Sequence, residues 1–229
     1  MNALVLDRQI EARNVWQTAF GEFGINAVFE DSVTKELLAP QAQPRILVLD
    51  QSVIGDSLDA AADICKQATL DIAVVTGAEI SVAGAVRLMK QGAAWVFRKE
   101  LELEQIREAI PLIQENAANL ATQIEELCRL QNLLSNISPR EHSVLEMVLD
   151  GVSNKQIAKQ LEVSVRTVES RRAKIYRKCD VTNVTELVRC VDRAHQLRSR
   201  YGDCPKDLRP SSNSGTKLVS YLNRGSDSH

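Results

Sequence analysis

Six cations and one acid lie between Val165 and Lys178: Arg166, Arg171, Arg172, Lys174, Arg177 and Lys178 against Glu169. Guanidinium and ammonium groups at this density suit a polyanion, because each can replace a counterion at a phosphate. On a helical wheel with Val168 at the centre of the buried face, Val165 and Ile175 fall beside it. Arg166, Glu169, Ser170, Ala173, Lys174 and Arg177 fall opposite and point outward. The bland alternative is a solvated charged face. The flanking residues argue against it. Ser153 is a good N-cap for a short helix that turns Ile157, Ala158 and Leu161 inward, the corner Leu161 to Ser164 breaks the pattern, and Ser164 caps the basic helix. Short helix, tight corner and longer basic helix form a helix-turn-helix layout, whose second helix enters the major groove of duplex DNA.

A second set of reactive groups lies in the first hundred residues, each at the end of an apolar run. Ala3 to Leu6 ends at Asp7, Ile46 to Leu49 at Asp50, Ile72 to Val75 at Thr76-Gly77, and Trp95 to Phe97 leads to Arg98-Lys99. With Ile25 to Phe29 these runs are five short strands. Helical patterns separate them: Val15 to Phe20, a short helix near Val33 to Leu38, Leu58 to Gln67, and Val82 to Lys90. Five buried strands alternating with helices predict an α/β doubly wound, parallel, flavodoxin-like sheet. Sites in such sheets lie at the carboxyl ends of the strands, which here gather Asp7, Asp50, Thr76 and Lys99.

The second half predicts an all-α, four-helix domain. Ser138-Pro139-Arg140-Glu141 combines a cap, a proline at the first helical position and a glutamate at the third. Val144, Leu145 and Val148 line one face, and Gly151 ends the helix. The two motif helices follow. Asn183 to Glu186 repeats the capping-box spacing before Leu187, Val188, Val191 and Ala194.

A long helix joins the halves. From Leu101 to about Leu134, apolar residues recur at Ile106, Ile110, Ile113, Ala117, Leu120, Ile124, Leu127 and Leu134, a heptad seam broken at Gln131. Pro111 predicts a kink or a joint. The early turns are expected to cover the sheet. The later turns, with Glu125, Glu126 and Arg129 outside the seam, favour pairing with a second copy over folding back on their own domain.

The formal net charge of −2 over 229 residues hides an asymmetry. Met1 to Glu100 carries nine Lys/Arg against thirteen Asp/Glu, whereas Ser138 to Arg198 carries twelve against eight. An acidic half joined to a basic half suggests a regulatory module on a nucleic-acid module. Cys65, Cys128, Cys179, Cys190 and Cys204 form no ligand cluster and read as cytosolic thiols. No apolar run reaches the roughly 20 residues of a membrane span, and MNALVLDRQIEAR reads as too short and acidic for a signal peptide, so a cytoplasmic protein with no membrane partner is expected. After Leu197 the chain turns polar and reads as disordered, with Leu218 to Leu222 a weak docking segment.

Residues 3 to 99, and above all TGAEISVAGAVRLMKQGAAWVFRKE, resemble a response-regulator receiver domain. The resemblance implies that Asp50 is the phospho-acceptor, Thr76 the hydroxyl that contacts the phosphate, and Lys99 its pairing ammonium. Asp7, with Asp50, would hold Mg²⁺. The residue types suit that chemistry, since a carboxylate can accept a phosphoryl group while a metal and a lysine neutralise its charge. The family usually has further acids after the first; here Arg8 and Gln9 follow Asp7, which weakens the Mg²⁺ site and places Arg8 to pair with Asp50 instead. Glu100 stands where a proline is usual, Val53-Ile54-Gly55 replace Met-Pro-Gly, and Val96 occupies the switching aromatic's position, flanked by Trp95 and Phe97. Two readings follow: Mg²⁺-dependent phosphorylation of Asp50, or a receiver fold kept for docking or dimerisation.

The order SPRE…DGVSNKQIA…VSVRTVESRRAKI…VTNVTELVR resembles the LuxR-type DNA-binding domain over residues 137 to 197. Coupled to a receiver, it is similar to the FixJ/NarL branch of response regulators. By position Glu169, Ser170 and Ala173 face bases, suited to a cytosine amine, several bases and a thymine methyl respectively. Arg166, Thr167, Arg171 (histidine in many members), Lys174 and Arg177 line phosphates or groove edges, and Asn154 and Lys155 hold a phosphate at a helix N-terminus. Val188 and Val191 are the implied dimer surface, reading half-sites about 10 bp apart. The implied partners are double-stranded DNA, a cognate histidine kinase, RNA polymerase and a second copy of the chain. The expected domains are 1–115, receiver-like; 116–136, helical linker; 137–198, helix-turn-helix; and 199–229, tail.

Two other classes compete. Aspartyl nucleophiles beside Mg²⁺ also occur in phosphatases on comparable folds, but Ser52 sits where a second catalytic acid would be needed, and His142, His195 and His229 are remote. A protein-only adaptor would dock a partner through the helical half. It would bind no duplex, or bind it without salt dependence.

Overall fold

The computed structural model describes residues 1–34, 36–39, 43–55, 58–100 and 102–204, and the chain divides into two compact units, 1–124 and 125–229. In the first unit β1 (Asn2–Leu6), β2 (Asn26–Glu30), β3 (Ile46–Asp50), β4 (Ile72–Gly77) and β5 (Ala93–Arg98) form one parallel sheet in the order β2-β1-β3-β4-β5. The order reverses at β1/β3, so the chain ends after those two strands open into the crevice where such sheets place their sites. Helices α1 (Ile10–Glu22), α2 (Gln51–Ile54), α3 (Leu58–Gln67) and α4 (Val82–Lys90) connect the strands. The stretch after β2 makes only a turn over residues 36–38, with Leu38 N–H bonded to Thr34 O, rather than the expected helix. That run is too short to repay helix nucleation.

Both faces of the sheet are covered, as its near-continuous apolar strands require. Leu4, Leu6, Leu47, Leu49, Ala73 and Val75 face one core with Ala61, Ala62, Cys65 and Leu88 from α3 and α4. Trp16 and Phe20 of α1 are fully buried, and Trp16 meets Phe97 of β5 edge-on at 5.8 Å between ring centroids. Phe97 is therefore a packing residue, while Val96 pairs with Val75 in the sheet. Gly77 is required by close approach, because a Cβ there would overlap the Gln51 side chain.

Helix α5 runs from Leu103 to Ser135 without interruption through Pro111, so the expected joint does not form. Its residues up to Ile124 belong to the first unit and those from Glu125 to the second, so 116–136 is not a separate linker body. Every residue of the predicted seam is buried within one chain, and at its broken end Leu130 joins in, while Gln131 bonds to Cys204 N–H and Asp203. The expected coil with a second copy is thereby corrected: the stripe it needs is already covered.

The second unit adds α6 (Pro139–Leu149), α7 (Asn154–Gln160), α8 (Val165–Cys179) and α9 (Val184–Tyr201). Capping boxes start α6 at Ser138 and α7 at Ser153. Asn183 caps α9 by accepting from Glu186 N–H, but the Glu186 carboxylate returns to Thr182 instead of completing the box. Glu162, in the corner between α7 and α8, adopts the left-handed conformation at φ 54°, which reverses the chain in very few residues. Val144, Leu145, Val148, Ile157, Ala158, Val168, Ile175, Leu187, Val191 and Ala194 are buried.

Two expectations fail at the end of this unit. Helix α9 continues past residue 198 to Tyr201, and Cys204 is joined to Cys128 by a disulfide, so residues 199–204 are built into the unit. Only Cys65, Cys179 and Cys190 are free thiols. The remainder of the expected tail, with Leu218 to Leu222, lies outside the described residues.

Candidate functional site

Parallel register sets Asp50 directly beside Thr76 at the ends of β3 and β4, and the Lys99 amide is tied to Gly77 O. Asp7 and Asp50 are both fully buried. Thr76 Oγ1 donates to Asp50 Oδ2 at 2.9 Å and Lys99 Nζ donates to Asp50 Oδ1 at 2.6 Å. Ser52 closes the cluster: its N–H (2.9 Å) and its hydroxyl both donate to Asp50 Oδ1, and Lys99 Nζ lies 3.3 Å from its Oγ. Asp50, Thr76 and Lys99 thus converge as strand-end geometry requires.

Burial raises the Asp50 carboxyl, but donation from Lys99, Ser52 and Thr76 outweighs it and leaves the group below its ordinary pKa. Asp7 goes the other way. Burial raises it and the Asp50 charge adds, with the Gln9 N–H, Lys99 and Arg13 only partly opposing. Lys99 Nζ is 3.9 Å from Asp7 Oδ1, so one ammonium serves two carboxylates.

Arg8 does not join this cluster. It is exposed and donates to Asp31 O at 3.2 Å, so its predicted pairing with Asp50 is corrected; Lys99 holds that place. Residue 8 follows a strand whose alternation turns it away from Asp7. Arg13, one helical turn into α1, instead donates through Nε to Asp7 O at 2.6 Å.

The donor set for Mg²⁺ is small. Asp7 Oδ2 is buried without a hydrogen-bond partner, and Asp50 is the second carboxylate. No group of three or more His, Cys, Asp or Glu side chains placed to hold a metal occurs among the described residues. Two carboxylates suit Mg²⁺ when water or phosphoryl oxygens complete the shell, so the residues fit the ion in a reduced form.

On α8, Arg166, Glu169, Ser170, Ala173, Lys174 and Arg177 are exposed, Thr167 and Arg171 half-buried, and Lys155 on α7 exposed. Val165, expected beside the buried face, is 37% exposed because it sits in the first turn, beyond the packing of Val168 and Ile175. The other two cations are structural. Arg172 donates to Asn154 Oδ1 at 2.6 Å and to Tyr176 Oη at 2.8 Å, fixing α7 against α8. Asn154 is therefore engaged inside the motif. Lys178 Nζ donates to Glu141 Oε2 at 2.6 Å and to Asn136 O at 2.9 Å, anchoring the end of α8 to the start of α6. Burial raises the Glu141 carboxyl, but Lys178 and Ser138 outweigh it and lower its pKa from 4.5 to about 2.

Of the implied dimer residues, Val188 is half-buried and Val191 buried within its own chain. Ser52, Arg13, Arg172 and the Cys128–Cys204 pair are the contributors that sequence reasoning missed. Ser52 had a signal, since a hydroxyl two residues after an aspartate is a common local turn pairing. The others had none.

Residues 135–191 match the family described as bacterial regulatory proteins, luxR family. The transcriptional regulatory protein FixJ of Bradyrhizobium diazoefficiens is 32% identical over 132 residues, 58% of this chain and 64% of that one. The response regulator protein TodT of Pseudomonas putida is 34% identical over 109 residues, 48% of each chain. Among solved structures, the response regulator StyR superposes with a TM-score of 0.63 at 26% identity, covering 84% of this chain and 98% of that one. Residues 135–191 thus carry the luxR-family match, and over part of its length the chain is similar to response regulators of the FixJ type. It spans 64% and 48% of the two curated relatives just described.

Proposed function

We propose that this chain is a transcriptional regulator that binds double-stranded DNA in a sequence-dependent way, acting as a homodimer in the cytoplasm and addressing RNA polymerase. The observation that carries this reading is the division of labour on α8. Arg172 and Lys178 are spent on the scaffold, while Arg166, Lys174 and Arg177 surround an exposed Glu169-Ser170-Ala173 stripe. Arg166, Thr167, Arg171, Lys174, Arg177 and Lys155 position the phosphate backbone; Glu169, Ser170 and Ala173 read base edges. Asn154 contributes by orienting Arg172. The test is selection of bound sites from random duplexes, followed by a salt titration of the best one. A steep loss of affinity with salt and a recurring half-site are expected; binding that ignores salt and sequence rejects the reading.

The receiver's part is proposed as phosphorylation of Asp50, supplied by a histidine kinase. Its oxygens are held in place by Thr76, Ser52 and Lys99, and Asp7 with Asp50 holds Mg²⁺, which would neutralise phosphoryl charge when bound. Lys99 balances the pocket in the meantime. A second reading has its own support: four donor groups from three residues already satisfy Asp50, and among the described residues Asp7 is the one other acid in the cluster, as in a receiver that works without phosphate. Treatment with a small phosphodonor and Mg²⁺, then intact-mass measurement of wild type and Asp50→Asn, decides between them. An adduct that depends on Asp50 supports the first reading, and its absence supports the second.

A further inference from the structure

Cys128 on α5 and Cys204, just beyond α9, are joined across 76 positions of sequence. The bridge is one of several ties between the same two elements. Arg193 Nη2 donates to Glu126 Oε2 at 2.6 Å, Cys204 N–H donates to Gln131 Oε1 at 2.9 Å, and Gln131 Nε2 lies 3.4 Å from Asp203 Oδ1. Arg198 in turn pairs with Asp203 at 2.8 Å. Residues 126–131 of α5 are therefore tied to the stretch from Arg193 to Cys204, with Leu127, Leu130 and Leu134 buried. These ties are polar and partly exposed, and each is individually weak; the covalent bond is the one that does not exchange with water. Disulfides in reducing compartments are characteristically transient and redox-sensing.

We propose that Cys128 and Cys204 form a reversible thiol–disulfide site, opened by a dithiol reductant, whose closed form clasps the end of α5 to the stretch from Arg193 to Cys204 at the end of α9. A thiolate of the reductant attacks the sulfur of Cys128, the more exposed of the two, and Cys204 leaves as a thiolate that takes up a proton. The second reductant thiol then displaces Cys128. One S–S bond breaks in the protein and one forms in the reductant; two electrons and two protons pass to the cysteines. Opening leaves the end of α9 held to α5 by the Glu126–Arg193 pair, the Gln131 bonds and apolar packing without a covalent tie, and a second copy of the chain competes for α9. This last step rests on the reading of Val188 and Val191 as a pairing face.

The experiment uses the full chain in three forms: oxidised with its bridge verified by alkylation and intact mass, reduced and desalted, and Cys128→Ser. Hydrogen exchange over 193–204 and sedimentation velocity are measured on each. The expected result is protection lower by about tenfold in the reduced and Cys128→Ser forms than in the oxidised form, and association at lower protein concentration. Equal protection in all three, or failure of a dithiol to reduce the bridge in the folded chain, overturns the proposal. Lowered protection without association supports the thiol site and sinks the pairing reading.

Discussion

The two units handle charge in opposite ways. In the first, the important charges are inside. Asp7 and Asp50 are fully buried, and a single ammonium from Lys99 lies between them with help from Thr76 and Ser52. In the second, the cations of α8 stand in solvent, and only Arg172 and Lys178 are drawn into hydrogen bonds. An interior charge interacts strongly with its neighbours and punishes any change in them, which would suit the proposed phosphorylation of Asp50. An exposed charge gains little from its neighbours but remains available to a polyanion. The difference teaches where to look for sensing and where for binding: the same residue types do different work according to their solvent.

The contrast can be broken or sharpened by substitution, beginning with the largest effect. Lys99→Met leaves Asp50 buried without its cation and should lower the stability of the first unit by about 3–5 kcal/mol in urea denaturation, whereas Lys174→Met should leave stability unchanged. If both are neutral, the interior of the pocket is wetter than its burial indicates. Next comes Lys178, the one α8 cation treated like Lys99. Because the folded Glu141 carboxyl lies near 2 against an ordinary 4.5, the stability it contributes is fully present above about pH 4.5 and drains away as pH falls toward 2. Glu141→Gln should cost about 1–3 kcal/mol at pH 7 and should remove that part of the acid sensitivity of the second unit, read by denaturation at pH 7, 4.5 and 3.

Arg177→Ala should weaken duplex binding by about 1–1.5 kcal/mol, equally on all sequences, and reduce the slope of log affinity against log salt by about 0.9. Fluorescence anisotropy on a selected site and a scrambled one checks both. Glu169→Ala is the smallest in affinity and the most informative. It should change total binding by less than about 1 kcal/mol while relaxing the preference at one base position, seen by repeating the site selection. Loss on every sequence alike would move Glu169 from base reading to scaffold.

Much of this architecture was legible in advance. The strand-end placement of Asp50, Thr76 and Lys99 follows from apolar runs of strand length, each ending in a polar group. Register then sets Asp50 directly beside Thr76. The caps Ser138, Ser153 and Ser164 were legible because a cap joins residues only three positions apart. Arg8 was misread because sequence adjacency to Asp7 says nothing about which side of the strand end it leaves from. The α5 seam was read correctly as buried and incorrectly as intermolecular, since a heptad stripe is the same whether its partner is a copy or the chain's own helices. The bridge between Cys128 and Cys204 has no sequence signature at all.

The sequence by itself determined the elements, the parallel sheet, the helix-turn-helix and the outward stripe of α8, because those depend on periodicity and on neighbours within a turn or two. Only the tertiary structure decided that Lys99 serves both Asp7 and Asp50, that Arg172 and Lys178 are scaffold rather than contact, and that α5 closes on α9 through Cys128 and Cys204. The physical reason is range. Hydrophobic alternation and capping act between residues a few positions apart, whereas ion pairing, burial and disulfide geometry act through space between residues whose separation along the chain is left free.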